Sequence, residues 1–198
     1  RSKGYFPIQW QEIHNSLHSV APIERLPQKI LDRISEARQH GATTEVAVPG
    51  SKDVRQAIKL LKWHFKFKAR RSIPSVDMFQ QLSTLDKCKM FVTKYRKHVI
   101  GTCICIYTNG NAYMWHLASL RKSYMPLHPT TLTVWAALSD AYAEGMRHMY
   151  FLDAGLPFKH SPMRDFILSF GGKPVTKYRW FITPLPWLNS IVNWIYNE

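Results

Sequence analysis

Val99-Ile100-Gly101-Thr102-Cys103-Ile104-Cys105-Ile106-Tyr107, the turn Asn109-Gly110-Asn111, and Ala112-Tyr113-Met114-Trp115-His116-Leu117-Ala118-Ser119-Leu120 form the stretch that decides the fold. Its first part is β-branched and almost without charge, the composition of a central strand buried on both faces. Asn and Gly tolerate positive φ, so the turn predicts a hairpin into the next strand. Lys89–Tyr95 reads as a strand on the other side, which makes a three-stranded meander. Upstream lie a β-rich run at Thr44–Val48 and two predicted helices, Ser51–Lys68 and Ser75–Ser83. Downstream come a helix (Thr130–Gly145), a strand (Met149–Asp153), a helix (Ser161–Ser169) and a strand (Pro174–Ile182). The order β-α-α-β-β-β-α-β-α-β implies a mixed α/β (α+β) domain. Its mostly antiparallel sheet switches to parallel pairing through a helical crossover. Ala112–Leu120 and Met149–Asp153 are therefore expected as parallel neighbours that splay at one end, and open sheets bind ligands at such places.

Local chemistry supports the elements. Leu132, Trp135, Ala136, Leu138, Ser139 and Tyr142 recur at helical spacing, and Gly145 fits a C-cap. Ser51 with Asp53 makes an N-cap ahead of Val54, Ala57, Ile58 and Leu61 on one helix face. Gly171-Gly172 reverses the chain before the last strand. Residues 1–42 read as a helical preface, with an aromatic segment (Tyr5, Phe6, Trp10), a short helix around Gln9–Ser19 and an amphipathic helix from Pro27 to His40 closed by Gly41. Residues 43–183 are the main domain. After Pro184-Leu185-Pro186, residues 184–198 form a helix with Trp187, Leu188, Ile191, Val192, Trp194 and Ile195 on one apolar face. That face suits core or dimer packing, or an interfacial position on a membrane.

A length of 198 residues fits one core. The longest uncharged apolar stretches are strand-length, so no transmembrane helix is expected. Cys88, Cys103 and Cys105 have no metal or redox spacing and read as buried small hydrophobes, which suits a reducing, cytoplasmic compartment. The chain begins at Arg1 rather than Met, so an upstream segment is expected. Lys and Arg outnumber Asp and Glu by 27 to 13, a formal charge of +14. Lys59, Lys62, Lys66, Lys68, Arg70 and Arg71 concentrate it at one helix end, opposite Leu60, Leu61, Trp63, Phe65 and Phe67. This is either a solvated basic face or a landing site for phosphates of a cofactor, an RNA or a lipid headgroup.

The element order resembles that of the GNAT acyltransferases. Met149-Tyr150-Phe151-Leu152-Asp153-Ala154-Gly155, with Arg164-Asp165-Phe166 and Phe170-Gly171-Gly172-Lys173-Pro174-Val175, is similar to the F-D-F-G and F-K-x-x-F-G-G pattern of the Fem-like branch, which includes aminoacyltransferases of peptidoglycan synthesis. The resemblance implies transfer from acyl-CoA or aminoacyl-tRNA to an amine, and a tandem arrangement in which residues 1–42 are the remnant of a preceding half. Three positions depart from the family. Arg121-Lys122-Ser123-Tyr124-Met125-Pro126-Leu127-His128-Pro129-Thr130 stands where a Gly-rich loop ordinarily cradles the coenzyme A pyrophosphate. It has no glycine, and two prolines remove two donors, so coenzyme A binding in the usual way is not expected. Ile167 stands for the branch's Lys, and Phe166 occupies the neighbourhood of the ordinary family's Tyr acid.

Amide formation needs a base for the attacking amine and a polar cradle for the oxyanion. Asp153, at the C-terminal end of a hydrophobic strand, either serves as base or accepts backbone hydrogen bonds from the loop after it. His116 is either a second base or a satisfied core histidine. Lys159, His160, Arg164 and Tyr113 are candidates for substrate binding, and Arg121, Lys122, Thr130 and Thr131 for the donor's phosphates. No metal ligand set is read from the sequence. The resemblance implies an N-acyltransferase that would use these residues; the alternative is a non-catalytic module recruited through its basic face and apolar C-terminal helix.

Overall fold

The computed structural model describes residues 5–18, 20–66, 74–182 and Trp187, Leu188, Ser190, Ile191 and Trp194. Phe67, Lys68, Arg70 and Arg71 of the basic cluster, and Val192 and Ile195 of the C-terminal face, lie outside them.

Seven strands form one sheet in the order β2-β3-β4-β5-β6-β1-β7. They are β1 (Phe6–Ser16), β2 (Thr43–Val46), β3 (Cys88–Tyr95), β4 (His98–Thr108), β5 (Asn111–Ser119), β6 (His148–Phe151) and β7 (Lys173–Phe181). Every neighbouring pair is antiparallel except β5 and β6, which run parallel. Asn109 and Gly110 turn β4 into β5 with φ of 52° and 70°, the positive values that favoured these residues in the sequence. β4 is buried over seven consecutive residues from Val99. Helices α2 (Gln28–Gln39) and α5 (Pro129–Ala143) cover one face of the sheet, with the short α1 (Pro22–Arg25) beside them. Helices α3 (Lys52–Phe65) and α4 (Val76–Ser83) cover the other. Ser51 and Ser75 cap these two, accepting from the N–H groups of Val54 and Met78 at 3.3 and 3.1 Å. α6 (Pro162–Leu168) leads into β7.

The helix expected around Gln9–Ser19 is a strand. β1 lies between β6 and β7 and pairs with both, so Phe6–Ser16 is part of the sheet's interior. Phe6, Ile8, Trp10 and Glu12 are buried in strict alternation; the phase then flips, and Ile13, Asn15 and Leu17 are buried. That flip places Trp10, Ile13 and Leu17 three and four residues apart, which imitates a helical stripe. The strand wins because β6 and β7 would otherwise each expose an unpaired edge. Gly172 enables the close pairing. At φ +99° it enters β7 so near β1 that a Cβ would stand 2.9 Å from the His14 carbonyl.

Trp63 also differs from the expected apolar face of α3. It is 64% exposed while Leu60, Leu61 and Phe65 are buried.

Candidate active site

The cleft arises from a change of partner. β6 runs beside β5 from His148, opposite Asn111, to Phe151, opposite Met114. One more bond follows, from the Leu152 N–H to the Met114 carbonyl at 3.4 Å. The chain then leaves β5 for β1: Ala154 N–H donates to the Gln11 carbonyl at 3.0 Å, and Gln11 N–H to the Gly155 carbonyl at 2.8 Å. β5 continues to Ser119 paired with β4 alone, so its other edge beyond Met114 has lost its neighbour. The splay expected between these two strands is present.

A cavity of about 190 Å³ occupies the splay. Met114, His116 and Leu117 of β5, Phe151 and Asp153 at the end of β6, Phe65 of α3 and Ile167 of α6 line it. His64 and Met163 line both this cavity and a wider cleft of about 820 Å³ that runs to the start of α5. The wider cleft is walled by Arg121, Lys122, Thr130 and Thr131, all four donor-binding candidates, together with Arg33, Trp63 and His128. Helix geometry leaves the first-turn N–H groups of α5 without intrahelical partners, so this end presents donors and partial positive charge to the cleft. Thr130 Oγ1 lies 2.6 Å from Ser119 Oγ, tying the helix start to the end of β5.

The loop before α5 contains no glycine, and its donors are largely spent. Ser123 and Tyr124 N–H both bond the Leu120 carbonyl, Leu127 bonds Tyr124, and His128 bonds Met125. Pro126 and Pro129 supply none. His128 enters the helix at φ 38°, and its Nε2 lies 3.0 Å from Glu36 on α2. A single cap residue, not a glycine, thus makes the left-handed turn into the helix.

Asp153 and His116 line the same cavity. His116 is 1% exposed and ringed by Phe65, Phe79 and Trp115, with centroids at 5.8, 5.7 and 4.4 Å. The other candidates are placed differently. Tyr113 lies at the paired end of β5, its ring 5.0 Å from that of Tyr150, away from the splay. Arg164, a substrate-binding candidate in the sequence, has its guanidinium committed to structure. It donates to Gln11 Oε1 at 2.9 Å and to the carbonyls of Leu156 and Lys159 at 2.8 and 2.9 Å, fastening the loop after β6 to β1. Lys159 and His160 sit exposed on that loop, His160 Nδ1 lying 3.5 Å from Asp165.

Arg179 of β7 escaped the sequence reading. It donates to the Leu152 carbonyl at 3.0 Å, and its guanidinium lies over the Trp10 ring, 4.4 Å from the centroid. Burial draws its pKa below the ordinary arginine value, while the charges of Asp153 and Glu12 oppose the shift. A cation therefore stands behind Asp153, brought there by a strand that no local pattern links to the site. Arg33, from α2, is the other missed cation.

No curated protein matches the sequence. Among solved structures, L-PGS from Bacillus licheniformis superimposes with a TM-score of 0.68 at 12% identity, covering 98% of this chain and 68% of that one. FemX gives 0.67 at 10% identity, covering 100% and 66%. An aminoglycoside acetyltransferase from an uncultured soil metagenomic sample, in complex with sisomicin, gives 0.53 at 16% identity, covering 73% and 99%. The chain thus spans about two thirds of the first two proteins, and at these identities the likeness is one of fold. Residues 28–160 match the family model of the acetyltransferase (GNAT) domain; the chain belongs to the GNAT acyltransferase family and has the fold of its Fem-like branch.

Proposed function

We propose that the protein is an N-acyltransferase that moves an acyl or aminoacyl group from an activated donor to an amine. The observation that carries this reading is the adjacency of the two cavities, which share His64 and Met163 in their walls: a basic helix start lines one and a carboxylate at the splay lines the other. The donor's anionic part lies by Arg121, Lys122 and the first turn of α5, and its carbonyl sits against the unpartnered edge of β5, whose N–H groups polarise it. The amine attacks the carbonyl carbon, a C–N bond forms, and the C–S bond of a thioester or the C–O bond of an aminoacyl ester breaks. Asp153 accepts the amine's proton, and the leaving thiolate or alkoxide is protonated in turn. His116, enclosed by aromatic rings, shapes the cavity wall beside the reacting atoms.

The donor is either acyl-coenzyme A or aminoacyl-tRNA, and the loop bears on the choice. Its spent N–H groups suit an extended polyanion reached by side chains better than a pyrophosphate held by backbone. The same feature favours the second reading, a binding module that has lost transfer activity. Thermal-shift titration with acetyl-coenzyme A, longer acyl-coenzymes and an aminoacyl-tRNA analogue tests both, because a ligand of the native state raises the midpoint. A raised midpoint with amide formation supports the enzyme. Binding without product supports the module, and no response to any donor removes the acyl-transfer reading.

A further inference from the structure

We infer that the solvent face of β7, with the loop beside it, docks this protein onto an anionic lipid bilayer. β7 is an edge strand, paired through β1 alone. Tyr178, Trp180 and Ile182 alternate onto one face, opposite Gln9 and Pro7 of β1, and are 59%, 63% and 48% exposed. The other face is occupied: Lys177 pairs with Glu12 at 2.8 Å, and Phe181 stacks on Phe6 at 6.2 Å. Gln11 lies further along the aromatic face, and there Arg164 fastens the loop after β6 to the sheet. That loop adds Phe158, 47% exposed, with Lys159 and His160 beside it in solvent. Beyond β7, helical residues Trp187, Ile191 and Trp194 recur at the spacing of one helix face, 62%, 44% and 61% exposed.

Rings that are apolar in body and polar at the tip, bordered by Lys and Arg, are the side chains that settle at a membrane–water boundary. Lys159 adds a cation to the strip, and the carboxylate beside it, Asp165, lies 3.5 Å from His160 Nδ1. The charge of the chain favours a bilayer over a second copy: at +14, the long-range field repels a second copy, whereas an anionic surface attracts the chain. Ser161 and Met163, which follow the Phe158 loop, line the reaction cavity, so docking here sets the cleft mouth beside the bilayer. The inference stands whether or not transfer occurs.

The test is co-sedimentation of the full chain with vesicles of phosphatidylcholine alone and of phosphatidylcholine with about one third phosphatidylglycerol. Binding is expected only to the anionic vesicles, weakened by salt, with tryptophan emission shifted blue and quenched by brominated acyl chains. The double variant Tyr178→Ser with Trp180→Ser keeps the charge of +14 and should bind roughly tenfold more weakly at an unchanged thermal midpoint. If that variant is unstable, Phe158→Ser on the loop is the replacement and should weaken binding in the same direction. Aromatic variants that bind as well as the parent would reduce the attraction to general charge and overturn the assignment. So would an absence of binding to anionic vesicles, or self-association abolished by the variants without vesicle binding, which would assign the face to a second copy.

Discussion

Gly101→Ala tests how closely the helix that frames the donor cleft is seated. Gly101 lies mid-strand in β4, beneath the first turn of α5. A Cβ there would stand 2.5 Å from Thr133 Oγ1, 3.1 Å from the Pro129 carbonyl and 3.3 Å from Thr93 Cβ. The first distance is roughly 1 Å inside van der Waals contact. The group it strikes cannot swing away freely: Thr133 Oγ1 donates to the Pro129 carbonyl at 2.7 Å and lies 2.6 Å from Thr93 Oγ1, all in a fully buried position. Either the hydroxyl chain breaks or α5 lifts from the sheet. Overpacking of this kind costs about 1–3 kcal/mol. In a chain of 198 residues, about 2 kcal/mol lowers the thermal midpoint by roughly 4–8 °C. Lifting α5 would also move Thr130 and Thr131, so donor binding should weaken by more than the loss of folded protein explains. Thr133→Ala alone should cost about 1 kcal/mol through lost hydrogen bonds. Combined with Gly101→Ala it removes the struck atom, so the double variant should be less destabilised than the sum of the two. Calorimetric melting of the four proteins reads the coupling. An unchanged midpoint in Gly101→Ala, or strict additivity, would refute the close seating.

Asp153→Asn should abolish transfer at an unchanged midpoint, because the amide keeps the shape but accepts no proton; full activity per folded molecule would remove this residue from the mechanism. Acetyl-coenzyme A should bind more weakly than about 10 µM, or about −7 kcal/mol, and tighter binding by calorimetry would show that the loop's spent donors matter little. The pKa of His148 is lowered below 6.5, first by burial and then by His18, Arg147 and His14. The unfolded chain therefore holds more protons there, and stability should be full above pH 6.5 and fall as the pH drops through the folded value. Melting His148→Asn across that window should give a flatter profile, and an identical slope would contradict this. Cys88, Cys103 and Cys105 are buried, and burial pushes the Cys88 thiol up to about 11. A thiol reagent at neutral pH should therefore label the native chain slowly and all three cysteines after denaturation; rapid native labelling would be inconsistent with this core.

The meander of β3, β4 and β5 was legible because its instructions are local: an uncharged β-branched run, an Asn-Gly turn and a partner within twenty residues. The helices announced themselves through period and caps, with Ser51 and Ser75 at the N-termini the sequence suggested. The parallel pair followed from element order and the geometry of a crossover. Likewise, Arg121, Lys122, Thr130 and Thr131 could be grouped because they stand together in sequence at the start of α5.

What tertiary structure alone decided depends on residues far apart in sequence. Trp10, Ile13 and Leu17 fit a helix by spacing, and only the edges of β6 and β7, more than a hundred residues downstream, make β1 a strand. Arg164 looked like a substrate ligand until Gln11, Leu156 and Lys159 took its guanidinium. Arg179 had no local mark of a role, yet β1 and β7 carry it to the carbonyl of Leu152 and the charge of Asp153. Hairpin, cap and helix preferences are set within a few residues, where one sequence suffices. A sheet edge or a guanidinium takes the partner that leaves the fewest buried polar groups unmet, and that choice exists only once the distant strands have come together.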